Sequence, residues 1–371
     1  MEPLAPHEKI FIDEDILEED DHHSELTCVD CHGGNPEDSN WETAHKGVVR
    51  DPTYPKPQVC MDCHDQSPEQ YGNSLHYTTQ PMIDAIMART TNDPKIRDKV
   101  EAAARNNCGK CHASCGQCHV SRPDSAGGGF LNSHKFVKRP PMQQVCTACH
   151  GSRVGNEYLG ENKSCKADIH YEKAKMTCEK CHPADEMHGD GIAYKNRYEV
   201  KNRPRCIDCH EKIFGPESQN RETHNTHRSK VSCQVCHSQA YTSCVSCHLG
   251  KTKDGRSYFE VKDHQLGFKI GLNPLKSKDR RETFVPLRHV PVDHKTFHIY
   301  AKDALKNFDV APTWKLATPH NIRRQTPQNK TCDACHGNPD LFLLEKDVRP
   351  EYLKANKSVI VPKNLIPKQI K

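Results

Sequence analysis

The sequence has few of the residues that ordinarily build a protein core. Hydrophobic residues make up 34% of its 371 residues, aromatic residues make up 6%, and the mean hydropathy is −0.87. Such a composition is typical of chains that bury too little apolar surface to fold unaided. No run of about 18 apolar residues occurs, so we expect no transmembrane segment.

A strong excess of one charge is also missing. The chain has 53 Lys and Arg against 49 Asp and Glu, and its formal net charge is +4. This balance does not favour a nucleic-acid-binding protein, which would carry a clustered basic surface.

Cysteine, by contrast, is abundant and regularly placed. Twenty of the 21 cysteines fall in ten CxxCH motifs, and only Cys165 lies outside them. The paired cysteines are Cys28 and Cys31, Cys60 and Cys63, Cys108 and Cys111, Cys115 and Cys118, Cys146 and Cys149, Cys178 and Cys181, Cys206 and Cys209, Cys233 and Cys236, Cys244 and Cys247, and Cys332 and Cys335. The histidines that close the motifs are His32, His64, His112, His119, His150, His182, His210, His237, His248 and His336.

CxxCH is the motif through which c-type haem is attached covalently. Residues three apart lie on one face of a helical turn, so both cysteines can form thioethers with the vinyl groups of one porphyrin. The histidine that follows can then bind the iron. A zinc site would use pairs of such cysteine pairs, and a disulfide framework would use the cysteines alone. Neither alternative explains a histidine after every pair, so we expect ten haem c groups.

Two motifs are crowded together, CGKCH at 108–112 and CGQCH at 115–119. If this stretch were helical, seven residues would separate the two attachment points by about 10 Å. The spacing predicts two haems held at short range. The alternative is that one of the two pairs is a disulfide or a vestigial motif.

Ten porphyrins in 371 residues would leave about 37 residues for each, so the cofactor would replace much of the missing core. We therefore predict a multihaem cytochrome c fold that is coil-rich, with short α-helices, little β-structure and a core of closely stacked haems. Residues 81–107 are the best helix candidate and would lead directly into Cys108.

The motifs divide the sequence into four segments. These are an acidic N-terminal segment (1–27), a region with nine motifs (28–248), a segment without attachment sites (249–331), and a region with the tenth motif and a basic tail (332–371). A weak domain boundary is expected near residue 250.

Fifteen of the 25 histidines lie outside the motifs, and ten irons need ten further axial ligands. Methionine would raise the reduction potential and is the weaker candidate. The predicted distal ligands are His23, His45, His76, His134, His170, His188, His224, His227, His289 and His320. The spare histidines are then His7, His22, His264, His294 and His298. We expect the segment 249–331 to fold back and supply distal ligands to haems attached elsewhere.

Covalent attachment of haem takes place outside the cytoplasm, which predicts an extracytoplasmic protein, either periplasmic or extracellular at the cell surface. Attachment on a secreted chain requires a signal peptide. The opening residues MEPLAPHEKIFIDEDILEED have neither the basic start nor the apolar stretch of one, so we expect the sequence to be a mature form.

The two ends differ in charge. Residues 1–25 hold ten Asp or Glu against one Lys, whereas the tail YLKANKSVIVPKNLIPKQIK is basic with an apolar SVIVP stretch. Two solvated termini are one interpretation. The other is head-to-tail association of copies, steered by opposite charges and extending into a homopolymer, with His7, His22 or His23 completing an iron of the next chain.

The stretches CHASCGQCHVSRP, CTACHGSRVGNEYLG, VSCQVCHSQAYTSCVSCH and TPHNIRRQTPQNKTCDACHGN resemble multihaem cytochromes c. The resemblance is to relatives of the octahaem tetrathionate-reductase group and of the extracellular electron-conduit and filament cytochromes. It runs from about Cys28 to about Leu344. It implies electron transfer in anaerobic respiration or extracellular electron transfer, with redox partner proteins or extracellular acceptors and, in some relatives, polymerisation into a filament.

Two functions follow from these observations. The first is an electron carrier, without catalytic residues, in which all ten haems are bis-histidine ligated. The alternative is a multihaem reductase of a small nitrogen or sulfur oxyanion, which needs one haem with an open or lysine-ligated iron. No CxxCK motif occurs, and the histidines suffice for every iron. Cys165 is expected to be a structural cysteine, with a ligand or an intersubunit bridge as the alternative.

Overall fold

The chain folds into many short helices joined by irregular segments, with few strands. The computed structural model describes residues 5–7, 12, 15, 18–20, 22–55, 57–64, 66–108, 113–290 and 294–370, except for the side chains of 108, 244–248, 257 and 259–264. Within these residues the prediction of a coil-rich chain with short helices and little β-structure is confirmed.

Most helices in the described residues are one or two turns long. They are α1 (Cys28–His32), α2 (Trp41–Ala44), α3 (Gln58–Met61), α4 (Gln66–Tyr71), α5 (Leu75–Thr78), α6 (Gln80–Met87), α7 (Pro94–Cys108), α8 (Gly116–His119), α9 (Thr147–His150), α10 (Asn156–Leu159), α11 (Ile169–Ala174), α12 (Ala184–His188), α13 (Cys206–His210), α14 (Arg221–His227), α15 (Cys233–His237) and α16 (Leu353–Asn356). Isolated helices of this length are unstable in water, so they depend on tertiary packing or on a bound group.

α7 is the longest helix, and its sequence explains why. The Asp93 carboxylate accepts a hydrogen bond from the Lys95 amide at 2.9 Å, which caps the first turn. The interior is rich in alanine, the best helix former, and Glu101 pairs with Arg105 one turn later at 2.7 Å. The helix ends at Cys108, so the predicted helix before the third motif is present, divided into α6 and α7.

The five strands form two small antiparallel sheets. They are β1 (Tyr241–Lys251), β2 (Ser257–Gly267), β3 (Ile270–Leu272), β4 (Phe284–His289) and β5 (Trp314–Leu316). β1 and β2 make a hairpin in which Tyr241 is opposite Gly267. β4 is the central strand of the other sheet, between β3 and β5. Most of this β-structure lies in 249–331, the segment without attachment sites.

The chain forms two compact units that interleave along the sequence. The first unit comprises 1–82, 108–151 and 177–203, and the second comprises 83–107, 152–176 and 204–371. Six CxxCH motifs therefore belong to the first unit and four to the second.

The second unit has apolar cores made of side chains. One core packs Ile83 of α6 and Val100 of α7 against Phe297 and Leu305, all at most 2% exposed. Another packs Val235 of α15 and Ile270 of β3 against Phe342 and Val361. The core of this unit is thus partly polypeptide, in addition to the haems that the composition predicts.

The apolar part of the C-terminal tail packs within its own chain. Val359 and Val361 of the SVIVP stretch are 0% and 1% exposed. The Leu272 amide donates to the Val359 carbonyl at 2.9 Å, and the Val361 amide donates to the Leu343 carbonyl at 2.8 Å. This stretch therefore extends the β3 side of the core.

None of the helices in the described part of the chain is both long enough and apolar enough to span a membrane.

Candidate cofactor-binding sites

Most CxxCH motifs form one helical turn. A complete motif lies within each of α1, α13 and α15. In four more motifs the amide of the motif histidine donates to the carbonyl of the first cysteine at 2.7–2.9 Å. These four pairs are His64 and Cys60, His119 and Cys115, His182 and Cys178, and His336 and Cys332. The turn brings the two cysteines of a motif onto the same side and places the histidine at its end.

Aspartate inside the motif helps to form the turn. In Cys-Val-Asp-Cys-His, the Asp30 carboxylate accepts hydrogen bonds from the Thr27 amide and hydroxyl, both at 2.7 Å. In Cys-Ile-Asp-Cys-His, the Asp208 carboxylate accepts from the Arg205 amide at 2.9 Å. These contacts satisfy amides at the start of turns that are too short to stabilise themselves.

The ninth motif has a different backbone. Residues Cys244 to His248 lie in β1, which pairs along its length with β2, and the pairing register shifts around Ser246. An extended backbone replaces the helical turn expected from the motif, because the hairpin supplies hydrogen bonds that a single turn cannot. The side chains of this motif, and residues 109–112 of the third motif, lie outside the described residues.

Seven motif histidines face a second histidine ring of the same unit. The ring centres in these pairs are 5.8–6.3 Å apart. The pairs are His32 with His134, His64 with His23, His119 with His188, His150 with His76, His210 with His170, His237 with His224, and His336 with His227.

This spacing is the one expected for two imidazole rings that bind the same metal ion. An imidazole nitrogen lies about 1 Å from the ring centre and binds a transition metal at about 2 Å, so two rings sharing one metal have centres about 6 Å apart. The centre-to-centre distance in each pair therefore matches that of two imidazoles sharing one iron. No group of three or more His, Cys, Asp or Glu in the described residues converges as a zinc site would require.

The ring nitrogen Nδ1 of many of these histidines is held by an oxygen, which leaves Nε2 for a metal. Backbone carbonyls accept from Nδ1 at 2.7–3.1 Å in His32 (Val49), His45 (Trp41), His119 (Val137), His224 (Asn220), His227 (Thr223), His237 (Arg323), His320 (Thr318) and His336 (Lys368). Carboxylates accept at 2.7–3.1 Å in His23 (Asp20), His170 (Asp168) and His182 (Glu186). Metal-binding histidines almost always donate their second ring N–H in this way, which fixes the tautomer and the orientation of the ring.

Cysteines of different motifs also come close together. The Cys60 and Cys115 thiols are hydrogen-bonded, and this bond lowers the pKa of Cys60 and raises that of Cys115. Cys146 and Cys178 are hydrogen-bonded in the same way, and the bond lowers the pKa of Cys146 and raises that of Cys178. Cys233 and Cys206 form a third such pair, in which the pKa of Cys233 is lowered and that of Cys206 is raised. No disulfide forms among the cysteines whose side chains the structure describes.

Three predicted distal ligands are not in the seven pairs. His45 and His320 hold their Nδ1 atoms against carbonyl oxygens, as above, and the His289 ring lies 4.9 Å from the Trp314 ring. In each of the seven pairs, the histidine that is not part of a motif lies outside the segment 249–331. The His264 side chain lies outside the described part of the chain, and the spare histidines His7, His22, His294 and His298 are exposed.

Cys165 is half-buried at some distance along the chain from any motif. Its thiol donates to the Ala240 carbonyl at 3.5 Å, and burial raises its pKa, with a further contribution from nearby Glu157. A thiol with a raised pKa is a poor nucleophile and a poor metal ligand.

Replacing Cys165 by serine is expected to leave the haem content and the visible spectrum unchanged, because the residue takes no part in a motif. A pyridine haemochrome assay on purified protein, normalised to protein concentration, measures this. Cys178→Ser is the matched control and is expected to weaken attachment at one motif. A fall in haem content in Cys165→Ser would contradict the structural role.

Two family models of known proteins match parts of this chain. Residues 16–113 match the family model described as cytochrome c7 and related cytochrome c, and residues 183–238 match that of cytochrome c554 and c-prime. The octahaem cytochrome c from Shewanella oneidensis matches with 16% sequence identity over 63% of this chain and 70% of that chain, with a TM-score of 0.35. No curated protein sequence matches the chain. Both matched families are cytochromes c, whose haem is bound covalently.

Proposed function

We propose that this chain, a multihaem c-type cytochrome, carries electrons along a row of about ten haems, each bound by a CxxCH motif and a second histidine. The observation that carries the proposal is the set of seven histidine pairs with ring centres 5.8–6.3 Å apart. Haem c supplies reversible one-electron exchange, and two imidazoles keep the iron six-coordinate in both oxidation states.

In this proposal the seven pairs are the axial ligands of the first, second, fourth, fifth, seventh, eighth and tenth haems. The paired cysteines of those motifs hold the porphyrins. His45, His289 and His320 stay predicted distal ligands. The Nδ1 contacts of eight of the paired histidines support the assignment, because they occupy Nδ1 and leave Nε2 for the iron.

The contacts between cysteines suggest the order of the haems in each unit. In the first unit, burial raises the pKa of Cys31 and the charge of Cys60 raises it further, which requires the two thiols to be near each other. Cys60 touches Cys115. Burial likewise raises the pKa of Cys118 to about 12, with a contribution from Cys146. We infer the order first, second, fourth, fifth and sixth haem, because Cys146 in turn touches the sixth motif.

The second unit supports a similar row. Cys206 touches Cys233, and burial raises the pKa of Cys236 to about 11 with a contribution from Cys335. We infer that the seventh, eighth and tenth haems follow one another. Because electron tunnelling falls steeply with distance, thioether edges in contact favour rapid transfer between neighbours.

The setting that we propose is extracytoplasmic, in anaerobic respiration or extracellular electron transfer, with a redox protein or an extracellular acceptor as partner. Head-to-tail polymerisation stays a prediction, and any such contact would need surfaces other than the buried Val359 and Val361. Electron microscopy of the purified protein tests it.

Protein-film voltammetry tests the proposed function. An electron carrier gives reversible waves whose area is unchanged when nitrite, hydroxylamine or tetrathionate is added. A catalytic current with any of these compounds would favour the reductase instead. The same films titrated without substrate give the potential range of the haems.

A further inference from the structure

A peptide from the segment without attachment sites, residues 321–323, holds two histidine rings. The Ile322 amide donates to Asp168 Oδ2 at 2.8 Å, and the Ile322 carbonyl accepts from the Ile169 amide at 2.9 Å. The other oxygen of that carboxylate, Asp168 Oδ1, accepts from His170 Nδ1 at 2.8 Å and from the His170 amide at 2.9 Å. Asp168 is 2% exposed, so its carboxylate is fixed between the peptide and the ring.

The next residue of the same peptide holds a second ring. The Arg323 carbonyl accepts from His237 Nδ1 at 3.1 Å, and the Arg323 amide donates to the His237 carbonyl at 2.7 Å. The Arg323 guanidinium is anchored on the other side, where it donates to the Ala167 carbonyl at 3.0 Å and pairs with the Glu172 carboxylate.

The peptide is itself anchored through its first residue, Asn321. Asn321 is fully buried, and its side-chain amide donates to the Ala240 carbonyl at 2.6 Å. Its Oδ1 accepts from the Gln239 amide at 3.2 Å. A displacement of this peptide would therefore break its hydrogen bonds to residues 239–240 as well as those to Asp168 and His237. It would also move the His170 and His237 rings together.

We propose that residues 321–323 and Asp168 form a positioning clamp that fixes one axial histidine of the seventh haem and one of the eighth. The clamp rests on the proposed function, in which His170 pairs with His210 and His237 pairs with His224. The two haems are also neighbours through Cys206 and Cys233, so one peptide controls the ligands on both sides of a single transfer step.

The two histidines held by the clamp donate to acceptors of different charge. His170 donates to a buried carboxylate, whereas His237 donates to a neutral carbonyl. A carboxylate makes the imidazole a stronger donor and stabilises ferric iron, which lowers the reduction potential. The clamp thus lowers the potential of the haem ligated by His170, and this contribution favours electron flow from the seventh to the eighth haem.

The test compares Asp168→Asn, Arg323→Met and a control in spectroelectrochemical titrations and low-temperature EPR of the holo-protein. Asp168→Asn keeps the size of the side chain but removes its negative charge and replaces one carboxylate oxygen by an amide nitrogen. We expect Asp168→Asn to keep the haem content and raise the potential of one haem. Arg323→Met is expected to shift the low-spin EPR signals of two haems. The matched control Arg324→Met changes the adjacent, exposed arginine and is expected to match the wild type.

His170→Ala separates failure of the clamp from failure of the ligand assignment. One new high-spin iron in His170→Ala establishes the assignment, and unchanged potentials in Asp168→Asn would then overturn the clamp alone. If His170→Ala shows no high-spin iron, the assignment of this ligand is wrong, and the proposed clamp is then wrong as well.

Discussion

Replacing His23 by alanine is expected to convert one low-spin haem iron to high spin, about one in ten of the total. The His23 ring lies 6.3 Å from the ring of His64 and stacks on Phe136 at 4.2 Å. Its Nδ1 donates to the buried Asp20 carboxylate at 3.1 Å. In the proposed assignment its removal leaves the iron of the second motif without a distal ligand. Low-temperature EPR of the oxidised protein measures the high-spin fraction.

The neighbouring residue provides a matched control. His22 has an exposed side chain and contributes only its amide to the same Asp20 carboxylate, at 3.1 Å. His22→Ala is expected to keep every iron low-spin. A double variant, His22→Ala with His23→Ala, removes the possibility that His22 moves in as a substitute ligand. A wild-type spectrum in that double variant would contradict the assignment of His23.

Replacing Arg288 by methionine is expected to destabilise the second unit by about 3–5 kcal/mol, because it leaves a buried carboxylate unpaired. Arg288 Nη2 lies 2.6 Å from Glu157 Oε1, and Glu157 is 0% exposed. Burial raises the pKa of Glu157, and the Arg288 guanidinium opposes that rise. The other carboxylate oxygen of Glu157 accepts a hydrogen bond from the His320 amide at 3.0 Å. The ion pair therefore also fixes the backbone at His320, a predicted distal ligand.

A double-mutant cycle measures this pair. Glu157→Gln in the Arg288→Met background removes the unpaired charge while keeping an acceptor for the His320 amide. The double variant is therefore expected to recover about 1–3 kcal/mol relative to Arg288→Met alone. Chemical denaturation followed by far-ultraviolet circular dichroism gives the free energies of unfolding. Strictly additive effects would show that the two side chains do not stabilise each other.

The local parts of the site could be predicted because haem attachment constrains neighbouring residues. Two cysteines and a histidine within five residues define a motif without knowledge of the fold. The aspartates that cap the turns, such as Asp30 and Asp208, follow the same local logic. The ninth motif shows the limit, since pairing between β1 and β2 determined the backbone at Cys244 to His248.

The distal partners are set by tertiary contacts, and sequence alone could only name a pool of candidates. Seven of the ten histidines in that pool lie opposite a motif histidine, yet nothing in the spacing of His134 and His32, or of His76 and His150, predicts those pairs. The carboxylates behind the rings did have a local signal, in Asp168-Ile-His170. That signal is common at helix starts and does not by itself indicate a ligand.

The segment 249–331 illustrates the same difficulty. Its histidines predict a supply of distal ligands, which stays a prediction for His289 and His320. Its hydrogen bonds to Asp168 and His237 come instead from the backbone of Ile322 and Arg323. Backbone donors and acceptors are the same at every residue, so their partners cannot be read from side-chain patterns. The acidic N-terminal segment predicts its histidines as ligands for another copy, and the structure brings His23 to His64 of the same chain.

The most direct test of the central claim is low-temperature EPR of the purified, oxidised protein combined with a pyridine haemochrome count. The proposal of a bis-histidine electron carrier predicts about ten haems per chain, all low-spin. A high-spin signal near one haem in ten would mean an exchangeable iron and would contradict the account in favour of the reductase. A haem count well below ten would contradict attachment at every motif.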